Sequence, residues 1–219
     1  MERPYIICHM LTSLDGKIIG DYLKTERTAN FTDVYEKIHG RYESNAWMCG
    51  RITMEEHFTL GHKLVFEQKN IRPIPRTDYV ANVNAESYAI AVDPSGKLGW
   101  TENSIEAWNA HRADDHIVEV LTERVSDAYL AHLRKIGISY IFGGKETLNF
   151  SLVVEKLKDL FSIDKLMIEG GGYLNGSFLN EGLIDELSLI LVPIADGASK
   201  SVSLFETSSY LNKTNPVNF

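Results

Sequence analysis

Residues 169–172, Glu-Gly-Gly-Gly, close an apolar run at 165–168 and open a helix-like stretch at 173–180. Without a Cβ atom an anion can approach backbone N–H groups, and a helix N-terminus adds a partial positive charge. A tight left-handed turn needs fewer than three glycines in a row, so phosphate binding is the preferred reading of this motif. It is neither a Walker loop nor the spaced dinucleotide fingerprint, because Gly170, Gly171 and Gly172 are contiguous. Glu169 would repel a phosphate and is expected to face a separate substrate cavity, where its carboxyl is a candidate for proton transfer.

Three further motifs sit where apolar runs end. In Gly50-Arg51-Ile52-Thr53 the guanidinium suits a phosphate, and Thr53 is expected to cap the next helix while offering its hydroxyl to the same ligand. A solvated arginine beside an ordinary cap fits that motif equally. Thr122-Glu123-Arg124 combines a hydroxyl with a guanidinium, suited to a ribose phosphate or, as well, to a simple helix cap. Ser13-Leu14-Asp15-Gly16-Lys17 contains Asp-Gly, the strongest short turn signal, and the stretch 17–20 after it is a candidate wall for a flat ligand.

The seven histidines show no zinc spacing: His57 and His62 lack a third ligand nearby, and His111 and His116 flank an expected loop. His9 lies inside an apolar run and reads first as a buried structural histidine, with proton transfer as its functional alternative. No Gly-x-Ser-x-Gly elbow is present, which leaves a serine hydrolase without a nucleophile. The chain has 22 basic and 30 acidic side chains, a net charge of −8 and a pI near 5.4, so a surface for nucleic acid or anionic membrane is not expected. Cys8 and Cys49 both lie in apolar segments and offer no disulfide framework. The opening MERPYIICHMLTSLDG is too short and too interrupted for a signal peptide, and no run reaches the ~20 apolar residues of a membrane span. The expectation is a cytoplasmic protein with no metal.

These motifs need a scaffold. Apolar, β-leaning runs stand at 5–11, 46–50, 88–92, 116–121, 139–142, 165–168 and 186–192, with possible strand character at 202–205. Helical patterns stand between them at 32–42 (capped by Thr32, with Val34, Ile38 and Tyr42 on one side), from 53, at 127–136 (closed by Gly137), at 149–160 and at 173–180. The stretch 61–86, with Pro73 and Pro75, reads as a long surface loop. Strands alternating with helices imply an α/β chain, one domain over 1–219, with a mostly parallel sheet covered on both faces. Ligands in such sheets sit beyond the strand C-termini, where all four motifs fall.

Taken in order, SLDGK, GRIT, LTER, EGGG and the DEL at 185–187 resemble the reductase domain of riboflavin biosynthesis, within the dihydrofolate-reductase-like fold. The resemblance runs from about residue 4 to about residue 197 and is most specific at 13–17 and 169–191; Gly50-Arg51-x-Thr53 is closer to the dihydrofolate reductases themselves. It implies a homodimeric, NADPH-dependent reductase with a central, mostly parallel sheet, transferring hydride to a C=N or C=O carbon of a small heterocyclic substrate. It assigns the pyrophosphate to Gly171, Gly172, Tyr173 and Leu174 with Thr53, and the adenosine 2′-phosphate to Arg51, Thr122 and Arg124. Ile18, Ile19 and Gly20 would flank the nicotinamide, Ser13, Asp15 and His57 would meet substrate, and Glu169 with His9 would form the catalytic pair. The family tends to carry a lysine where His9 stands and an aspartate where His57 stands, both tied to its ribosylamino-pyrimidine phosphate substrate. Those two departures leave room for an altered substrate, or for a non-catalytic nucleotide-binding or sensor protein on the same fold.

Overall fold

The computed structural model describes residues 2–66, 72–105, 112, 114–207 and 216–219; His111 and part of the 61–86 stretch lie outside them. The chain divides into two compact units, one made of 1–4 and 45–164, the other of 5–44 and 165–219.

The first unit holds four parallel strands, β2 (Ala46–Gly50), β3 (Tyr88–Val92), β4 (His116–Thr122) and β5 (Ser139–Gly144), in the order β5-β4-β3-β2. Every residue of β3 and β4 is buried; β3 accordingly reads as an unbroken apolar run rather than an alternating one, whereas β4 carries Glu119 at its centre. Its helices are α2 (Arg51–His57), α3 (Asp127–Ile136) and α4 (Phe150–Phe161). Side-chain oxygens of Ser126 and Asn149 accept the N–H groups of Tyr129 and Leu152, and Gly137 ends α3 with φ of 79°. The core also encloses two carboxyl groups. Glu119 accepts from Trp100 Nε1 (2.5 Å) and the Tyr129 hydroxyl (2.6 Å), and Asp93 accepts from the Leu98 amide (2.7 Å). One oxygen of each, Asp93 Oδ1 and Glu119 Oε2, has no hydrogen-bond partner among the described residues. Burial, and after it the Asp93 carboxylate, push the Glu119 carboxyl well above its ordinary range.

The second unit holds β1 (Tyr5–Thr12), β6 (Lys165–Ile168) and β7 (Glu186–Leu191), with β1 between the other two and parallel to both. Its helices are α1 (Glu26–Arg41) and α5 (Gly172–Glu181). The expected helix at 32–42 begins a turn and a half earlier: Thr25 is the cap, accepting the Thr28 N–H, and Thr32 lies mid-helix. The buried face also differs. Val34 is 42 % exposed, whereas His39 is buried, because α1 packs through aromatic and polar side chains rather than aliphatic ones. The stretch 202–205 makes only an isolated antiparallel bridge, Lys17 to Ser203, instead of a strand. No helix among the described residues is long and apolar enough to cross a membrane.

Candidate active site

The glycine run joins β6 to α5. Gly170 takes φ of +94°, Gly171 is the N-cap and Gly172 starts the helix, one residue before the expected start. Leu174 and Asn175 donate to the Gly171 carbonyl, so the Leu174 amide is engaged within the turn and its side chain is buried. Among the described residues the N–H groups of Gly172 and Tyr173 meet no acceptor, and Tyr173 is 61 % exposed.

The glycines serve a second purpose that the sequence reading missed. A Cβ on Gly172 would lie 2.4 Å from the Ser203 carbonyl oxygen, and one on Gly176 would lie 1.8 Å from that of Glu206. Residues 202–206 form a strap across α5, held by Glu206 N to Gly172 O (2.9 Å) and Asn175 Nδ2 to Leu204 O (3.0 Å). The strap ties back to the 13–17 turn through Leu204 N to Gly16 O (3.1 Å) and Ile18 N to Val202 O (3.0 Å). Close backbone packing therefore demands the small residues, and the exposed amides are what remains for a ligand.

Glu169 has a histidine partner on α1. Its Oε1 lies 2.6 Å from Nδ1 of His39 on α1, and the two side chains are only 4 % and 7 % exposed. His9 is fully buried, stacks on the Tyr35 ring at 4.1 Å, and engages both ring nitrogens. Nε2 meets the Tyr35 carbonyl (3.1 Å), which can only accept, so this nitrogen carries a hydrogen; Nδ1 meets the Ser188 hydroxyl (2.9 Å). The structural reading of His9 therefore replaces that of a proton donor beside Glu169. His39 was missed because hydrophobic periodicity drew attention to Val34 and Ile38. The spacing Tyr35, His39, Tyr42 is the signal that marks the true inward face.

The 13–17 segment is a turn with its polar atoms committed to one another. Ser13 Oγ donates to Asp15 (2.6 Å) and accepts the Lys17 N–H (2.9 Å), while Asp15 also accepts the amides of Asp196 (2.9 Å) and Gly197 (3.0 Å). The Ser13 hydroxyl and those two amides hold the Asp15 carboxyl well below the ordinary carboxylate range, as suits a permanent acceptor. Ile18 is buried, Ile19 is about half exposed, and a Cβ on Gly20 would strike the Asp196 carboxylate. Asp15→Ala is expected to speed amide hydrogen exchange at Asp196 and Gly197 by about tenfold, because each loses a charge-assisted acceptor. Unchanged protection at both amides would show that the turn does not anchor that loop.

In the first unit, Gly50 rather than Thr53 stands at the N-cap of α2, and Thr53 is the third helical residue. Arg51 pairs with Glu55, which also binds Lys63. The Thr122 side chain is buried and donates to the Pro94 carbonyl (2.7 Å), while Arg124 is 66 % exposed and lies 3.7 Å from Glu146. His57 is exposed and borders a cavity of about 710 Å³, which it shares with Thr59, His62 and Trp100. His116 starts β4, where the apolar run was expected to begin, and its Nε2 meets Ser139 Oγ at 2.8 Å.

Residues 4–218 match the sequence family described as the RibD C-terminal domain. A 2,5-diamino-6-ribosylamino-4(3H)-pyrimidinone 5′-phosphate reductase of Archaeoglobus fulgidus is 25 % identical over 212 residues, covering 96 % of this chain and 90 % of the relative. Among solved structures, a pyrimidine reductase-like protein of Corynebacterium diphtheriae aligns with a TM-score of 0.63 at 15 % identity, over 97 % of this chain and 84 % of that one. RibD of Acinetobacter baumannii aligns with a TM-score of 0.58 at 22 % identity, over 94 % of this chain, which spans only 50 % of that larger protein. The dihydrofolate-reductase-like fold expected from the sequence is thus the fold observed.

Proposed function

Because the chain belongs to the RibD C-terminal domain family, we propose that it is an NADPH-dependent reductase acting on a ribosylamino-pyrimidine 5′-phosphate. The name of the archaeal relative supports the substrate class. The observation that carries the cofactor reading is the pair of acceptorless N–H groups of Gly172 and Tyr173 at the start of a ten-residue helix.

The donor set fits a diphosphate: two convergent amides and a helix dipole, with no side chain capping them. Of the two guanidinium groups expected for the 2′-phosphate, that of Arg124 is largely exposed, whereas that of Arg51 is paired with Glu55. Thr122 keeps its hydroxyl hydrogen on Pro94 and offers only lone pairs, so its part is to shape the strand end. Ile19 presents apolar surface for a nicotinamide face, and His57 remains the exposed polar side chain for substrate.

When bound, NADPH supplies hydride from its nicotinamide C4 to the carbon of the substrate's C=N bond. The π pair of that bond moves to nitrogen, which takes one proton. Glu169, at the end of β6, holds the proton for it, with His39 rather than His9 at its side. Asp15 and Ser13 serve by fixing the turn rather than by touching substrate.

Calorimetry with NADPH tests the binding, and loss of reduced-nicotinamide absorbance with the diamino-ribosylamino-pyrimidinone phosphate tests the reaction. Tyr173→Asp separates the anion site from the fold. A carboxylate in the first turn favours the helix by about 0.3–1 kcal/mol yet repels a diphosphate at the same amides. The expected result is NADPH affinity lowered about tenfold or more with no fall in melting temperature. Undiminished affinity would move the diphosphate elsewhere, and NADPH binding without turnover would leave a nucleotide-binding protein rather than a reductase.

A further inference from the structure

We propose that His39 is a positioning residue for Glu169: its Nδ1–H fixes Oε1 and so sets the direction in which the carboxyl meets the substrate nitrogen. The inference rests on the reductase reading and adds to it a residue on a helix that carries none of the motifs.

The geometry argues for a dedicated contact. At 2.6 Å one proton lies between Nδ1 and Oε1, and both side chains are almost wholly withdrawn from water. A carboxylate in such a place is costly unless partnered, and its partner dictates its rotamer. α1 delivers the imidazole with little freedom. Tyr35, one turn earlier, stacks on His9 of β1 and donates its hydroxyl to the His9 carbonyl (3.2 Å). Tyr42, nearly a turn later, donates to Glu186 of β7. His39 is therefore clamped from both sides along one helix face, opposite a residue whose chain neighbour, Gly170, already departs from ordinary backbone.

The test compares His39→Leu with His39→Asn, whose carboxamide N–H₂ replaces the Nδ1 donor. Melting temperature, NADPH affinity, kcat and KM are measured with the diamino-ribosylamino-pyrimidinone phosphate, together with NMR of isotope-labelled histidine in the free protein. The leucine variant is expected to lose about tenfold or more in kcat with NADPH affinity within about twofold, and the asparagine variant to recover most of it. A low-field imidazole N–H resonance should be present in the wild type and shift in Glu169→Gln. Wild-type kcat in the leucine variant, or an asparagine variant that folds normally yet recovers nothing, overturns the positioning role. A wild-type protein that turns over no substrate rejects the reductase reading instead, and the role in that reaction goes with it.

Discussion

Gly176→Ala is expected to lower the melting temperature by roughly 3–10 °C, although alanine is the better helix former by about 1 kcal/mol. The added methyl would stand 1.8 Å from the carbonyl oxygen of Glu206, and that neighbour is backbone, which cannot rotate aside as a side chain would. Relief requires lifting the 202–206 strap. Overpacking of this kind costs about 1–3 kcal/mol, and the strap's bonds to Gly172 O and from Asn175 Nδ2 contribute about 1 kcal/mol each. The sum exceeds the gain in helix propensity, so the net sign is destabilising. Thermal unfolding followed by circular dichroism measures it, and hydrogen exchange at 202–206 shows whether the strap has lifted. A melting temperature at or above that of the wild type would mean that helix and strap separate without cost.

Stability should decline as pH rises, and Glu119→Gln should remove the decline. The ordinary carboxyl value is 4.5, and burial followed by the Asp93 carboxylate raises that of Glu119 well above it in the folded chain. Between the two values the folded state holds one proton that the unfolded state has released. Stability from this group is thus complete below the unfolded value and is lost as pH climbs toward the folded one, by up to about 1.4 kcal/mol per pH unit. The carboxamide keeps an acceptor for Trp100 Nε1 and Tyr129 and has no proton to lose. Denaturant titrations of both proteins should nearly coincide at about pH 5 and diverge by about pH 8, the variant being the more stable. Parallel profiles across that range would show that Glu119 is ionised in the folded protein.

Legibility in the sequence followed the kind of force at work. β3 and β6 fall on their expected residues because both are short apolar runs bounded by turn formers, and α3 does so because Ser126 and Gly137 mark its ends. The glycine run and the strand-end motifs were found by the same local grammar. What escaped was whatever depended on a distant segment. Thr25 caps α1 ahead of a mostly exposed, polar first half that carries no apolar period. Thr53 looked like a cap because it precedes a helical pattern, yet Gly50 already turns the chain. The pairing of Glu169 with His39 spans 130 residues; the Tyr35, His39, Tyr42 spacing marks the inward face of the helix but not the partner it meets. Gly172 reads as a ligand glycine, whereas the carbonyls that it and Gly176 make room for lie some thirty residues on.

The second unit is assembled from the two ends of the chain, 5–44 and 165–219, with the first unit's main segment lying between them in sequence. β1, nearly all of it apolar, therefore leaves the ribosome long before either strand it pairs with: Cys8 waits for Ile168 and Leu187. At roughly 5–20 residues per second that interval is of the order of 10–30 s, during which β1 has α1 beside it but neither of its strand neighbours. The pairing of β1 is therefore completed only late in translation, and a chain cut before β7 would leave one edge of β1 without its strand neighbour.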